Sequence, residues 1–519
     1  MSQLKVGALL SYIILMVSVF ISILYTPIVI RQLGKAEYGL YSLIGSIAAY
    51  LNIMDMGLSN TIVRFVSRSR VMGNEEEERK LNGLFFLFYS IIGAITLLIG
   101  FIIIKNLDPI FESSLTSSEL SKAKIMVLVL TITFSVSFPL SVFGSLVQAY
   151  EKFVVLKVVS LIRVISIPII TLPFLFNGYA SLSMVIISSS MNIISLLILA
   201  YYCLFKLKTK VSLSKINSSV LKSILGYSSL VFLGVLVDQI YWKTDQFILG
   251  SLSGTKTVAV YAVAMIFINL YIQFSTAMSG LFLPRVSKLV AENVSTNVLT
   301  NLMVKFGRVQ FTLIGLVLSG FILFGREFIT YWAGDDYKEA YIIVVLIMVP
   351  LSIPLIQNIG ISILYAKSQQ GFRSIVLLLM AVINVLISIP LAKNYAGIGT
   401  AFATVFSLTL GNILAMNIYY HKKIGLNMVL FWKNIFSFAM PLIVLLGATK
   451  ILGLWINYSS NISFLIFKVV IYVILYFLMF WIISFNMSEK KLIKTFILKV
   501  LSAINHKLKR RDKSNGFKY

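Results

Sequence analysis

Long uninterrupted runs of apolar residues, each roughly 20 residues in length, recur from one end of this chain to the other. A helix of that length crosses the hydrocarbon core of a bilayer. The runs do not alternate apolar and polar residues, which excludes a transmembrane β-barrel. Of 519 residues, 58% are hydrophobic and only 12% are charged, too few charges to cover a soluble protein of this size. We predict an all-α integral membrane protein with about 14 transmembrane helices.

Two segments of the chain, residues 33–68 and 253–288, resemble each other at a constant offset. Each segment begins a hydrophobic bundle of about six spans, and a duplicated bundle is a common plan for membrane transporters. Because six is even, both copies enter the membrane from the same side. The matched residues are Gly34 and Gly254, Tyr41 and Tyr261, Ser59 and Ser279, Val66 and Val286, Ser67 and Ser287, and Arg68 and Lys288.

The repeat predicts two parallel six-helix lobes followed by two extra helices, with a shared cavity between the lobes. A basic linker joins the lobes, and a basic segment with helical apolar spacing ends the chain. The predicted boundaries are 1–205 for the N-terminal lobe, 206–222 for the linker, 223–423 for the C-terminal lobe, 424–486 for the extra helix pair and 487–519 for the amphipathic tail.

Lysines and arginines crowd the connections on one side of the predicted spans and the tail, and they are sparse on the other side. The positive-inside rule therefore places both termini in the cytoplasm. The formal net charge of +26 lies mostly in those connections and the tail, where it orients the protein and meets anionic lipid. No nucleic-acid-binding module accompanies it, so we expect no nucleic-acid partner.

Charged residues inside apolar spans are the main functional candidates, because a charge near the bilayer centre costs roughly 2.5–3.5 kcal/mol. Asp55 lies in the second span and Arg163 in the fifth. Three charges, Asp238, Lys243 and Asp245, fall within the seventh span. Structural pairing is the alternative interpretation for Asp55 and Asp238. Three charges so close together are hard to explain in lipid, which favours a functional role for that set.

The sequence does not indicate an enzyme active site. The single cysteine and two histidines are too few for a metal site, and no phosphate-binding loop with its lysine is present. Connections between spans are short, whereas a membrane glycan polymerase would need an extended outer loop. We therefore expect no cofactor, no metal and no covalent catalysis.

Several motifs resemble the opening of bacterial oligosaccharide flippases (Wzx-like polysaccharide biosynthesis proteins) of the multidrug/oligosaccharidyl-lipid/polysaccharide exporter superfamily. The resemblance extends over the whole chain in span number, repeat layout and length. The motifs are Leu33–Tyr41 (LGKAEYGLY), Met54–Leu58 (MDMGL) with Arg64, Asp245–Gly250 (DQFILG) and Val260–Ala264 (VYAVA).

The resemblance implies a flippase that carries an undecaprenyl-pyrophosphate-linked oligosaccharide from the inner to the outer leaflet of the bacterial cytoplasmic membrane. The partners it implies are this lipid-linked substrate and membrane lipids, with a polysaccharide polymerase and glycosyltransferases as further protein partners. Arginines and lysines suit the anionic pyrophosphate and aromatic rings suit sugars. The candidate cargo contacts are Arg64, Arg163, Lys243, Tyr241 and Trp242, with Arg68 and Lys288 at the cytoplasmic mouth.

Asp55, Asp238 and Asp245 are the candidates for a coupling ion, with the choice between a proton, a sodium ion and the membrane potential left open. Arg64 has an even alternative as a positive-inside anchor. Rival functions are a multidrug–cation antiporter of the same superfamily, a membrane glycan polymerase or ligase, and a scaffold that transports nothing. Arg163 and Lys243 count against the antiporter, whose cavity is usually acidic.

Overall fold

The structure, a computed structural model, describes residues 3–213, 218–279, 283–451, 462–487 and 489–491. Within these ranges the chain is built from helices and contains no β-strand. The helices are α1 (Gln3–Asn52), α2 (Leu58–Val71), α3 (Glu75–Phe111), α4 (Ser117–Ala149), α5 (Phe153–Phe176), α6 (Ser181–Tyr201), α7 (Ser218–Ser253), α8 (Thr255–Ser279), α9 (Leu283–Ala291), α10 (Thr296–Ala333), α11 (Glu339–Ile356), α12 (Asn358–Ala366), α13 (Gly371–Leu408), α14 (Met416–Lys422), α15 (Met428–Ile451) and α16 (Ile462–Met479).

The all-α membrane prediction is confirmed, but the predicted count of about 14 spans is not. The described residues contain 12 helical segments long and apolar enough to cross a membrane. Two of them, Lys5–Val71 and Gly371–Lys422, have 67 and 52 residues, more than twice the roughly 20 that one crossing requires. Each includes a residue with non-helical backbone, Gly34 and Ala396, at the places where the sequence separates two spans.

The two glycines matched by the repeat adopt the same unusual backbone conformation. Gly34 interrupts α1 with a φ of 73°, and Gly254 separates α7 from α8 with a φ of 78°. A positive φ is inexpensive only for a residue without a Cβ atom. Each glycine therefore allows the chain to turn between two apolar helices.

A second break separates α1 from α2. The chain passes through one 3-10 turn, Ile53–Asp55, and then through left-handed backbone at Met56 and Gly57. A Cβ atom on Gly57 would lie 2.4 Å from Cγ1 of Val231 in α7, so only glycine fits this approach. The break places the Asp55 side chain at a helix end inside an apolar region.

Contacts divide the chain into two compact units. The first comprises the described residues of Met1–Ile272, Ile329–Leu351 and Gln370–Met416, and a buried cluster that includes Phe85 and Tyr89 forms part of its core. The second comprises those of Gln273–Phe328, Ser352–Gln369 and Asn417–Tyr519. The lobe boundaries 1–205 and 223–423 remain a prediction.

One buried and one part-buried ion pair lie within the second unit. Nζ of Lys468 in α16 lies 3.4 Å from Glu327 in α10, and Nε of Arg308 in α10 lies 2.7 Å from Glu489. A charge buried in a membrane protein requires such a partner, which explains these polar residues within apolar helices. Most of the predicted tail 487–519, from residue 492 onward, lies outside the described residues, as do residues 214–217 of the predicted linker.

Candidate functional site

Asp245 of α7 is only 2% exposed, and hydroxyl groups surround its buried carboxylate. Oδ2 accepts hydrogen bonds from the Tyr261 hydroxyl of α8 at 2.7 Å and from Thr404 Oγ1 of α13 at 2.9 Å. Oδ1 lies 2.9 Å from Ser388 Oγ, also of α13. Among the described residues no lysine or arginine forms an ion pair with Asp245, so neutral donors alone stabilise this carboxylate.

Further polar side chains fix the hydroxyl groups around Asp245. Asn384 Nδ2 donates to Thr404 Oγ1 at 3.1 Å, and Asn384 Oδ1 lies 2.8 Å from Ser388 Oγ. The Tyr241 hydroxyl lies 3.3 Å from Ser407 Oγ. We call Asp245, Tyr261, Asn384, Ser388 and Thr404 the carboxylate cluster.

Tyr241 does not present its ring to a cavity, because it is only 5% exposed and its hydroxyl bonds within the protein. In this structure the ring packs inside the protein, and its contact with sugars stays a prediction. Trp242 is half-buried and meets the Tyr241 ring edge-on, with centroids 5.0 Å apart. Of the two aromatic candidates, Trp242 alone keeps exposed surface.

Asp238 is exposed although it lies on α7 among apolar residues. Its carboxylate interacts electrostatically with Arg373 at the start of α13 and with half-buried Lys243. An exposed charge within a membrane-spanning helix requires water or a polar partner instead of lipid. We call Asp238, Lys243 and Arg373 the α7 charge group.

Asp55 lies at the break before α2 and accepts two hydrogen bonds through Oδ1. The Tyr89 hydroxyl donates at 2.6 Å and Ser59 Oγ at 3.0 Å. Tyr89 is fully buried, so these bonds attach the helix break to α3. This arrangement stabilises the break and also leaves the second carboxylate oxygen available.

Arg163 of α5 is half-buried and contacts neutral groups. Its Nη1 donates to Asn192 Oδ1 in α6 at 2.8 Å, and Asn192 Nδ2 donates to Ser137 Oγ in α4 at 2.9 Å. A guanidinium has five N–H donors, so one bond to an amide leaves most of its capacity unused. Arg163 thus retains an unneutralised charge within the membrane-spanning part of the described chain.

Arg64 and Arg68 line a cavity of about 410 Å³ at the end of α2. The Arg64 guanidinium carbon lies 4.4 Å from the centroid of the Tyr227 ring in α7, a favourable cation–π arrangement. We call this the arginine cavity; its lining residues are Arg64, Phe65, Arg68, Ser69, Met72, Glu77, Ser219, Val220, Ser223 and Tyr227.

Lys288, the residue that the repeat matches with Arg68, lies on the short helix α9. Its side chain is 77% exposed and its Nζ lies 3.7 Å from Glu292, the residue directly after the end of α9. A solvated pair of this kind contributes little to stability. Its surroundings differ from those of Arg68.

A family model described as polysaccharide biosynthesis protein matches residues 6–290, more than half of the chain. The chain belongs to the polysaccharide biosynthesis protein family. No curated protein was found to match it.

Solved structures show the fold of this family member. A structure titled lipid II flippase MurJ, inward closed conformation, has a TM-score of 0.73 at 15% identity and covers 94% of this chain and 100% of its own. An inward-facing multidrug resistance MATE family transporter of the MOP superfamily has a TM-score of 0.64 at 14% identity, covering 76% and 93%. The Vibrio cholerae MATE transporter VcmN in the bent form has a TM-score of 0.54 at 16% identity, covering 81% and 97%. The chain therefore shares the fold of these solved structures.

In this family member the structure gathers the sequence candidates at separate places. Asp245 belongs to the carboxylate cluster, Asp238 and Lys243 to the α7 charge group, and Arg64 and Arg68 to the arginine cavity. Asp55, Arg163 and Lys288 have their own contacts and belong to none of these groups. Within the described residues, no three His, Cys, Asp or Glu side chains are grouped in a way that suits a metal ion.

Sequence reasoning missed the neutral members of the carboxylate cluster and also Arg373. Asn384 and Ser388 lie one helical turn apart in an apolar run, and Thr400 and Thr404 repeat that spacing. Such a polar face on an apolar helix was a usable signal, although it does not show which carboxylate the face meets. Arg373 directly precedes its apolar run and therefore resembles an ordinary helix-end anchor.

Proposed function

We propose that this protein is a flippase for surface polysaccharide biosynthesis. It moves an oligosaccharide repeat unit linked to undecaprenyl pyrophosphate from the inner to the outer leaflet of a bacterial cytoplasmic membrane. The polysaccharide is a capsule, an exopolysaccharide or an O-antigen. Family membership and a fold similar to that of a structure titled lipid II flippase support this proposal. It assigns no covalent chemistry to the chain.

The observation that carries the proposal is the set of cations within membrane-spanning helices. Arg163 bonds only to a neutral amide, and Lys243 and Arg373 outnumber Asp238 in the α7 charge group. A multidrug cation is repelled by such groups, whereas the pyrophosphate of a lipid-linked sugar is attracted. Trp242 supplies a ring face for the sugars, and the isoprenoid chain stays in lipid.

Transport proceeds by alternating access, in which the polar headgroup passes through a hydrated interior. Both termini lie in the cytoplasm, because the positive-inside rule places the basic connections there. The cargo comes from glycosyltransferases on the inner side and goes to a polysaccharide polymerase on the outer side.

A proton or a sodium ion bound at Asp245 couples the transport cycle to the membrane potential. The carboxylate cluster supports this assignment, since hydroxyl and amide oxygens surround a carboxylate that has no described cation partner. A hard cation prefers oxygen ligands of this kind. Asp55 also accepts hydroxyl donors alone, but it lies on a helix break; Asp238 already faces two cations, which makes it the weakest of the three candidates.

A leaflet assay tests the function. In a strain lacking the protein, full-length lipid-linked units should accumulate on the inner leaflet, and the wild-type chain should restore their appearance outside. Arg163→Ala and Lys243→Ala should each lower surface polysaccharide at least about tenfold, because a charge-assisted contact contributes about 1.5–3 kcal/mol. Lys256→Ala, which removes an exposed cation from the first turn of α8, is the matched control.

Two outcomes would replace the proposal. Single units accumulating on the outer leaflet would indicate a polymerase, because flipping would then be intact. The MATE similarity makes a multidrug antiporter the second candidate. Faster efflux of ethidium from cells expressing the chain, with unchanged polysaccharide in both charge variants, would favour it.

A further inference from the structure

The arginine cavity has the chemistry of an anion site. Arg64 and Arg68 are four residues apart on α2, so their side chains project from the same helix face with Cβ atoms about 5–6 Å apart. Neither guanidinium forms an ion pair or a hydrogen bond with another side chain in the described chain. Two unpaired guanidinium groups one turn apart can each contact one phosphoryl group of a pyrophosphate.

The rest of the lining orients these groups and is nearly free of competing carboxylates. The Arg64 guanidinium carbon lies over the Tyr227 ring, 4.4 Å from its centroid, and this cation–π contact uses none of the N–H donors, which can bond to an anion. Ser219 and Ser223, one turn apart on α7, also line the cavity, and Ser223 Oγ donates to the Ser219 carbonyl oxygen at 3.0 Å. Glu77 is the one acidic side chain of the lining, and its carboxylate accepts a hydrogen bond from Asn74 Nδ2 at 3.0 Å. Two cations therefore face one carboxylate that is already hydrogen-bonded.

The size of the cavity limits what it can hold. Sites for small molecules occupy about 300–1,000 Å³, so 410 Å³ suits a headgroup and excludes a whole oligosaccharide or an isoprenoid chain. A diphosphate with one neighbouring sugar ring is of this size class. The remainder of a lipid-linked cargo must stay outside.

We propose that the arginine cavity is a docking site for the pyrophosphate group that links the lipid to the first sugar, occupied before the cargo enters the passage. The inference rests on the proposed function, which supplies the cargo class. Arg64 and Arg68 bind the two phosphoryl groups, and Tyr227 preorganises Arg64. The oligosaccharide beyond the first sugar is not read here, so the site recognises the carrier linkage and not the glycan.

The site exists in one copy of the repeat only. The position matching Arg64 is Pro284, which has no charge and no donor, and Lys288 pairs with the nearby Glu292 four residues along the chain. Lys288→Ala is therefore the matched control for Arg68→Ala. Both substitutions remove one positive charge at matched positions of the repeat, but we expect Lys288→Ala to leave pyrophosphate binding unchanged.

Binding to the purified full-length protein in detergent tests this site. The probes are inorganic pyrophosphate, farnesyl pyrophosphate and phosphatidylglycerol in mixed micelles, measured by calorimetry at low and moderate salt. Inorganic pyrophosphate and farnesyl pyrophosphate should compete for one site, and added salt should weaken the binding of both. Arg64→Ala and Arg68→Ala should each weaken binding at least about tenfold, the loss expected for a charge-assisted bond. Lys288→Ala should bind as the wild type does.

Conservative variants separate recognition from folding. Arg64→Lys keeps the charge but loses the planar fork, so it should bind a few-fold more weakly while the protein unfolds at the same temperature. Tyr227→Phe retains the ring and should bind as the wild type does, whereas Tyr227→Leu should lose binding to the extent of Arg64→Lys. Wild-type binding of pyrophosphate by a folded Arg64→Ala/Arg68→Ala double variant would overturn the proposal.

The probes also identify the source of the phosphate. If phosphatidylglycerol displaces farnesyl pyrophosphate at equal concentration, the cavity is a general lipid-phosphate site and the cargo assignment is wrong. The outcome is independent of the leaflet assay. If the protein binds pyrophosphate through Arg64 and Arg68 but moves no lipid-linked unit across the membrane, only the proposed function is refuted. If the Arg64→Ala/Arg68→Ala double variant flips lipid-linked units as the wild type does, only the docking-site proposal is refuted.

Discussion

The two copies of the repeat, residues 33–68 and 253–288, begin alike and end differently. Gly34 and Gly254 both turn the chain with a positive φ, and Tyr41 and Tyr261 follow at matched positions in the next helix. Towards the end, the first copy carries a carboxylate at Asp55 and the arginine cavity. The second copy has Ser275 and Pro284 at the matched positions.

The difference separates what the backbone needs at the matched positions from what the side chains need. A turn between two helices needs a positive φ in either copy, so the glycine is kept. A polar position within a membrane needs a partner, but its chemistry is free to change. Asp55 accepts from two hydroxyl groups, whereas Ser275 Oγ accepts from Asn358 Nδ2 at 2.7 Å and from Gln310.

The largest expected effect comes from Gly39, whose match in the second copy is Ala259. A Cβ atom on Gly39 would lie 1.8 Å from the Thr255 carbonyl oxygen, so the copies are not interchangeable here. Gly39→Ala should cost about 3 kcal/mol or more because backbone must move. Thermal unfolding of the purified protein measures the loss. Gly45→Ala in the same helix, where no neighbour lies within 4 Å, should unfold at or slightly above the wild-type temperature.

The matched tyrosines should respond unequally. Tyr261→Phe removes a donor from the buried Asp245 carboxylate and should cost about 1.5–3 kcal/mol. Tyr41 forms no side-chain hydrogen bond within the described residues, so Tyr41→Phe should cost under about 0.5 kcal/mol. The unfolding temperatures of the two variants test this prediction. Equal losses of stability would show that the hydrogen bond from Tyr261 to Asp245 adds no measurable stability.

A smaller loss is expected at the polar positions. Ser275→Ala leaves the buried Asn358 amide without an acceptor and should destabilise the protein by about 1–2 kcal/mol. Ser59→Ala in the first copy removes one of two donors to Asp55, and Tyr89 remains, so about half that loss is expected. The test is the ranking of the two unfolding temperatures. A larger loss for Ser59→Ala than for Ser275→Ala would contradict the prediction that the more buried serine contributes more to stability.

The smallest effect belongs to Lys288. Its side chain is 77% exposed and pairs with Glu292 at 3.7 Å, so Lys288→Ala should change stability by less than about 0.5 kcal/mol. Surface polysaccharide should also be unchanged. A loss comparable with that of Arg68→Ala would show that the copies share their cargo chemistry after all.

The membrane fold was predictable because its signals are local. Apolar runs of bilayer length, their flanking charges and the glycine turns are read within a few dozen residues. The candidate site was predictable only in part. Asp245 and Lys243 were found as charges in an apolar run, but Arg373 resembled an anchor and Ser388 resembled any serine in a span.

The sequence by itself determined that this chain crosses a membrane as helices; a duplicated bundle and a functional role for the charges inside the spans remain predictions from it. The tertiary structure decided which groups meet. It brought Thr404 to Asp245 across 159 positions, buried Tyr241 where a free ring was expected, and made Arg68 part of a cavity. Hydropathy records how far each residue avoids water, whereas side-chain partners depend on how distant helices pack, and no local pattern contains that information.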